Sequence, residues 1–416
     1  MVALVAAAVA ARAWRALAPA RRPARRPDRG PEPVADAEAS AFELDQPDRR
    51  RVVPRSEYYI AFHGYAYEKH CVATPDGFIV ELVRIVRKPN TASQAAPANA
   101  FSKGPVLLVH GLFQCSGVFV TSGPNSLAFY LAESGFDVWL GNNRCCEKLH
   151  LEHSPSSVEH WDWSLEDLAR YDFPTLVEFV ATQTRCDQIT YIGHSQGNAQ
   201  AFLGLSIAPK IAKRIRCFIA LAPAAYIGPL LKQGPMAMLM TCPPRVYSTI
   251  FGVKEILPIM NIVQRYFPAT VFATLAYAMF NYLFKWADTN WDPKHVRHYF
   301  QFTPRPTSTK SIQHWGQISR RGHLGLFDPS HPMTSDAFAV PDILDVSSIS
   351  CPLVLFYGRR DRIVDGDRLL RECRASKHVN LVLAEQIDHY EHMDVIWARS
   401  APRRVFSKIV ATLNKL

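Results

Sequence analysis

The chain has 416 residues, long enough for one large α/β domain with an insertion or for two domains. Its content of 48% hydrophobic and 20% charged residues excludes a disordered chain. The formal charge of +10 points less to nucleic acid than it first suggests: residues 1–30 hold seven arginines against one acid, and the rest carries no basic stripe interleaved with aromatics, so no nucleic-acid partner is expected.

Residues 1–30 join an apolar run, Met1 to Ala11, to an Arg/Pro tract. The run is short for a membrane span and has no basic residue ahead of it, so it reads as a membrane-proximal anchor, as a cleaved, organelle-targeting peptide or as a floppy tail. Residues 31–57 are a Pro-, Asp- and Arg-rich linker. Globular sequence begins at Tyr58. Residues 68–85 alternate polar and apolar around Pro75-Asp76-Gly77, a hairpin with Asp-Gly in its turn. A loop over 89–104 leads to Val106-Leu-Leu-Val-His-Gly111, a buried strand ending in a glycine turn. A short helix over Ser126 to Glu133 and a strand over Phe136 to Gly141 follow. Residues 164–184 have helical spacing, with Pro174 implying a kink or restart.

The β-branched run Ile189 to Ile192 then enters Gly193-His-Ser195-Gln-Gly197, and a helix-forming segment comes after it. G-x-S-x-G between a strand and a helix is the context of a nucleophile elbow, whose sharp turn lifts the serine hydroxyl out of the sheet. Alone the pattern is weak: chance supplies roughly 0.1 matches in a chain of this length. A buried strand over Arg216 to Ala222 completes the first half, residues 58–222, and strands alternating with helices predict a mainly parallel sheet covered on both faces. Residues 223–345 break the rhythm with apolar, aromatic and Pro-rich sequence. Tyr266 to Phe284 has no formal charge over 19 residues, which suits a membrane span by length but, with Asn281, Pro268 and two threonines, suits an interfacial cap over the site better. The rhythm resumes over 346–416, with strands at 352–358 and 379–384, a helix near 366–374 and a final helix to about Leu413.

Serine is a poor nucleophile at neutral pH; it needs a histidine base, and the base needs a carboxylate that holds its tautomer. In elbow enzymes the chain order is Ser, then Asp or Glu, then His. Downstream of Ser195, Asp361 and Asp365 follow one strand and His389 and His392 follow the last. Asp361 is nearer its strand end and is the choice over Asp365; spacing leaves His389 and His392 open. An oxyanion hole needs two preorganised N–H donors, here the backbone of Gln196 and of Leu112 in the His110-Gly-Leu turn. His150, His153 and His160 fall in a polar loop without regular ligand spacing and are expected to be solvated, so no metal is expected; no Gly-rich phosphate loop implies a nucleotide cofactor. Trp161 and Trp163 are expected to pack.

Taken together, Tyr67-Glu-Lys-His, Thr74-Pro-Asp-Gly-Phe, Val106 to Ser116, Gly135 to Arg144, Tyr171-Asp-Phe-Pro174, Gly193-His-Ser-Gln-Gly and His392-Met-Asp394-Val-Ile-Trp397 resemble the acid lipase group of α/β-hydrolases, which includes gastric and lysosomal lipases and fungal steryl ester hydrolases. The resemblance runs from about residue 58 to 413. It implies the α/β-hydrolase fold with a mostly parallel central sheet and a large apolar cap. It also implies Ser195, Asp361 and His392 as catalytic residues, His392 over His389, and Leu112 and Gln196 as oxyanion donors. The expected activity is cofactor-free hydrolysis of neutral lipid esters, steryl esters or acylglycerols, at a membrane or lipid-droplet surface with no obligate protein partner. The alternatives are an acyltransferase with the same triad and a non-catalytic lipid-binding scaffold. Nine cysteines without paired spacing, Cys145-Cys146 where animal members have Gly-Asn, and the lack of any N-x-S/T sequon point to a cytosol-facing location such as a lipid droplet or the endoplasmic reticulum.

Overall fold

The computed structural model describes residues 52–87, 103–144, 146, 150–241, 244–329 and 346–416. The expected anchor over 1–30, the linker to residue 51, Cys145 and the last part of the cap, 330–345, lie outside them.

Eight strands form one sheet in the order β1-β2-β4-β3-β5-β6-β7-β8. They are β1 Tyr65–Ala73, β2 Ile79–Arg87, β3 Pro105–Val109, β4 Asp137–Gly141, β5 Ile189–His194, β6 Ile215–Leu221, β7 Leu353–Gly358 and β8 Leu381–Ile387. The first two pair antiparallel and β2 meets β4 antiparallel, while every pairing from β4 through β3, β5, β6 and β7 to β8 is parallel. This is the α/β-hydrolase architecture. Strands β3, β4, β5 and β7 are buried at every residue, which is why they read as mainly apolar runs without alternation.

Three local expectations shift. The last strand starts two residues later than the apolar run suggests and continues through Glu385 and Gln386. As an edge strand it leaves polar residues exposed, and Lys408 pairs with Glu385 there. The segment 164–184 restarts as foreseen, but through a π turn over Leu168–Asp172 just ahead of Pro174 in the helix Phe173–Thr184. Proline lacks the N–H of a regular helical turn, and the wider turn accommodates that. The terminal segment is a short helix, Asp394–Trp397, broken at Ala398, whose ψ of 140° and bridge to Trp291 take it out of the helix, and then a π turn Pro402–Phe406 that runs on into Ser407–Leu413.

The π turn has a second consequence. It holds the fully buried Asp172, whose carboxylate accepts from the Arg144 backbone N–H at 2.8 Å and from its guanidinium at 2.7 Å and 2.9 Å. The same guanidinium reaches Asp76 in the β1–β2 turn at 2.7 Å and lies over the Phe78 ring. Three separated stretches of sequence are thereby tied together beneath the loop that follows β4.

Between β6 and β7 the chain leaves the sheet. Among the described residues this excursion contains the helices Gly234–Thr241, Pro244–Phe251, Pro258–Tyr266, Ala269–Phe284, Val296–Tyr299 and Thr309–Arg321. It departs from the carboxyl edge of the parallel strands and covers that edge.

Candidate active site

The order of strand addition reverses between β3 and β5: β4 lies on one side of β3 and every later parallel strand on the other. At such a switch point the carboxyl ends of adjacent strands leave a crevice that two diverging connections cannot fill. Ser195 follows β5 and the turn His110-Gly-Leu112 follows β3, so the crevice lies between them.

Ser195 adopts φ 51°, ψ −114°, a region L-residues avoid at a cost of about 1–3 kcal/mol. The fold holds it there. Ser195 N–H donates to Leu221 O on β6 at 3.0 Å, and Tyr191 Oη caps Gly197 O at 2.7 Å. A Cβ on Gly193 would meet Asn198 Oδ1 at 2.4 Å, and one on Gly197 would meet Val109 O at 2.4 Å. Both glycines are therefore demanded by close backbone approach rather than by flexibility.

From this turn Ser195 Oγ stands 2.8 Å from His392 Nε2, and His392 Nδ1 stands 2.8 Å from Asp361 Oδ2. The other Asp361 oxygen accepts from the N–H groups of Ile363 at 2.9 Å and Val364 at 3.2 Å, which fixes the carboxylate plane. A carboxylate at Nδ1 requires a proton on that nitrogen, leaving Nε2 as acceptor for the serine hydroxyl. The rival residues are elsewhere. Asp365 caps the helix Gly366–Ala375 by accepting from Arg368 N–H, and His389 is exposed.

Gln196 is the first residue of the helix Gln196–Ile207, so its N–H has no acceptor within that helix. The Leu112 peptide stands beside the same turn: a Cβ on its neighbour Gly111 would lie 3.0 Å from Ser195 Cβ. Two residues with no role assigned from sequence shape this region. Gln114 accepts Gly111 N–H at 2.9 Å through Oε1, and Trp315 on the cap helix Thr309–Arg321 donates its indole N–H to Gln196 Oε1 at 2.8 Å. His194 is fully buried between Gln114 Oε1 and the His392 carbonyl, and burial pushes it well below the usual imidazole range, so it is neutral. Gln114 lies in the stretch Val106 to Ser116 that carries the family resemblance; Trp315, 119 residues from Gln196, carries no local signal.

The triad opens into an apolar cavity whose walls include Leu231, Met236, Met240, Phe280, Trp286 and Trp315, with no Lys, Arg, Asp or Glu among its lining residues. Among the described residues no three His, Cys, Asp or Glu side chains gather to hold a metal ion. The loop histidines depart from the solvated expectation because the loop folds back on the β1–β2 turn: His150 is half-buried, its Nε2 3.0 Å from Asp76 O and its ring edge-on to Phe78 with His153 stacked on it, and His160 is buried with its ring against Phe78 and Trp161. Trp161 and Trp163 are core residues.

The model of a partial alpha/beta-hydrolase lipase region matches residues 56–123, and that of the alpha/beta hydrolase fold matches residues 104–398. The chain belongs to the α/β-hydrolase lipase family. Within that family, sterol esterase 2 of Saccharomyces cerevisiae is 32% identical over 400 residues, spanning 88% of this chain and 72% of that one. Gastric triacylglycerol lipase of Homo sapiens is 31% identical over 381 residues, spanning 89% and 93%. A solved protein from Sulfolobus solfataricus described as a lipase candidate shares the hydrolase fold, with a TM-score of 0.53 at 16% identity over 85% of this chain and 95% of that one.

Proposed function

We propose that this family member is a serine hydrolase of neutral lipid esters, steryl esters or acylglycerols, acting through an acyl-enzyme. The observation that carries the reading is the Ser195–His392–Asp361 relay, with both contacts at 2.8 Å, at the foot of an uncharged, aromatic cavity. Ser195 Oγ attacks the ester carbonyl while His392 Nε2 takes the hydroxyl proton, and Asp361 stabilises the resulting imidazolium without accepting its proton. The negative charge gathering on the carbonyl oxygen is met by the N–H groups of Leu112 and Gln196, donors that need no reorganisation as it develops. Collapse of the tetrahedral intermediate releases the alcohol, which carries away the proton held on Nε2. A water molecule then repeats the sequence on the acyl-serine, with His392 again as base. A cavity without formal charge favours apolar acyl and alcohol portions over charged ones, because burying an unpaired charge is costly.

The finer reading is that the cap lies on a membrane or lipid-droplet surface. The helix Ala269–Phe284 has 16 residues and no charged one. At 1.5 Å per residue it spans about 24 Å, short of a ~30 Å hydrocarbon core, and no helix among the described residues is long and apolar enough to cross a membrane. Its buried face carries Phe272, Ala276 and Phe280, while Val271, Leu275 and Tyr282 recur at helical spacing on the exposed face. Tyr266 and Phe267 extend the exposed apolar surface. Surfaces of this kind mark interaction sites, and an uncharged one suits lipid. We place the docked enzyme on the cytosolic side, testable by protease accessibility of intact membrane fractions.

The chemistry is tested with Ser195→Ala. Hydrolysis of an emulsified steryl ester and a triacylglycerol, and labelling by a fluorophosphonate probe, should all vanish while the protein stays folded. Retained turnover or labelling would remove Ser195 from the mechanism.

A further inference from the structure

Directly after the helix Ala269–Phe284, the cap runs past the loop that carries His392. Ala287 N–H donates to Glu391 Oε2 at 2.9 Å, and Asn290 Nδ2 donates to His389 O at 2.8 Å. Arg399 returns the contact, its backbone N–H reaching Asn290 O at 2.9 Å. The centre of this junction is the buried carboxylate of Asp394. Oδ1 accepts from the Trp291 indole N–H at 2.8 Å, while Oδ2 accepts from Asn290 Nδ2 at 2.9 Å and from Glu391 N–H at 2.7 Å. Asp394 N–H in turn donates to Glu391 O at 3.2 Å, so His392 stands inside a turn stitched at both ends by Asp394. On the cap side, the Trp291 ring meets Trp286 edge-on at 5.5 Å, and Trp286 is part of the cavity wall.

We propose that Asp394 is a positioning residue that clips the cap to the catalytic histidine, so that the cavity wall at Trp286 and the orientation of the His392 ring are set together through Trp291. The proposal rests on reading Ser195, His392 and Asp361 as the catalytic set. A carboxylate suits this place because it offers acceptor positions only, and all three of its partners are donors. Charge-assisted hydrogen bonds to it are short and stronger than neutral ones, which a clip between two loops requires. An amide of the same size would turn an N–H₂ group toward at least one of those donors.

The experiment compares full-length wild type with Asp394→Asn and Trp291→Phe. The latter keeps an aromatic ring and removes only the indole N–H and its benzo extension. Each protein is assayed for kcat and KM on a soluble short-chain ester, for the rate of fluorophosphonate labelling, and for Tm. Misplacing a catalytic group by a fraction of an ångström to an ångström costs on the order of tenfold to a hundredfold, so kcat and the labelling rate should fall together by at least about tenfold in Asp394→Asn and Trp291→Phe, with KM within about twofold. If Asp394→Asn does not fold, Trp291→Phe decides. Wild-type kcat in folded Trp291→Phe or Asp394→Asn, with only Tm lowered, would make the junction a fastener and overturn the proposal. Absence of wild-type hydrolysis and labelling would overturn the catalytic reading itself, and the clip with it; the two failures are distinct.

Discussion

Replacing Gly197 with alanine tests whether the elbow is as tightly built as its geometry indicates. Gly197 is the second residue of the helix Gln196–Ile207. A Cβ there would lie 2.4 Å from Val109 O, 2.9 Å from His110 O and 3.0 Å from Val109 C. Ordinary van der Waals contact begins near 3.4 Å, so the worst overlap is about 1 Å. All three atoms are main chain at the end of β3, where no side chain can swing aside. The helix and the His110-Gly-Leu112 turn must therefore separate, carrying Ser195 and Gln196 away from Leu112. Overpacking of this kind costs about 1–3 kcal/mol of stability. A 1 Å displacement of catalytic groups costs roughly a hundredfold in rate. The assay is kcat on a soluble ester, normalised to sites titrated with a fluorophosphonate, together with urea unfolding. Gly64→Ala is the comparison: Gly64 has φ +83° but no atom within 4 Å of a built Cβ. It should lose roughly 1–2 kcal/mol from the left-handed conformation alone and keep its kcat. Wild-type kcat in Gly197→Ala would refute the close-approach account of the elbow.

Charge on the exposed cap face tests lipid docking. Val271→Asp combined with Leu275→Asp, both on the outer face of Ala269–Phe284, should cut flotation with neutral-lipid emulsions and hydrolysis of emulsified ester by about tenfold or more, since each buried aliphatic side chain contributes about 1.5–3 kcal/mol. Turnover of a soluble ester should stand, and equal activity on both substrates would sink the docking surface. Acid should destabilise the fold. Burial pushes His110 down to about 4 and His314 down to about 3, with His194 well below its usual range. Folded-state values below the unfolded value of about 6.5 mean that the unfolded chain binds protons the native state refuses. Their stability contribution is whole above that value and is lost as pH falls toward 4 and 3, at up to roughly 1.4 kcal/mol per pH unit for each histidine. Burial raises Asp172, Glu391 and Asp394, which act in the opposite sense. Urea midpoints at pH 7, 6 and 5 should decline in that order; a flat series would show that these histidines titrate normally.

Much of the architecture was written locally. Strands β3 and β7 are apolar on both faces, so the runs Val106 to Val109 and Leu353 to Tyr357 announced them, while β-branched Ile189, Thr190 and Ile192 announced β5. The elbow needed glycine on either side of its serine, which left a readable pattern at 193–197. The order of Ser195, Asp361 and His392, each just past a strand, placed all three on one sheet edge before any packing was known. Edge strand β8 was less clear because a half-exposed strand carries Glu and Gln where a central one carries leucine.

Tertiary structure decided what sequence distance conceals. Strand spacing left His389 and His392 equal and only the resemblance separated them; in the fold one is exposed and the other stands between Asp361 and Ser195. Trp315 reaches Gln196, and Asn290 and Trp291 reach Asp394, across more than a hundred residues of chain. Local periodicity records only which face of an element is buried, because neighbouring residues share that constraint. Which buried face meets which other one depends on how the cap closes over the sheet. That closure is a property of the whole packed chain, and it determines where the His392 ring stands relative to the hydroxyl of Ser195.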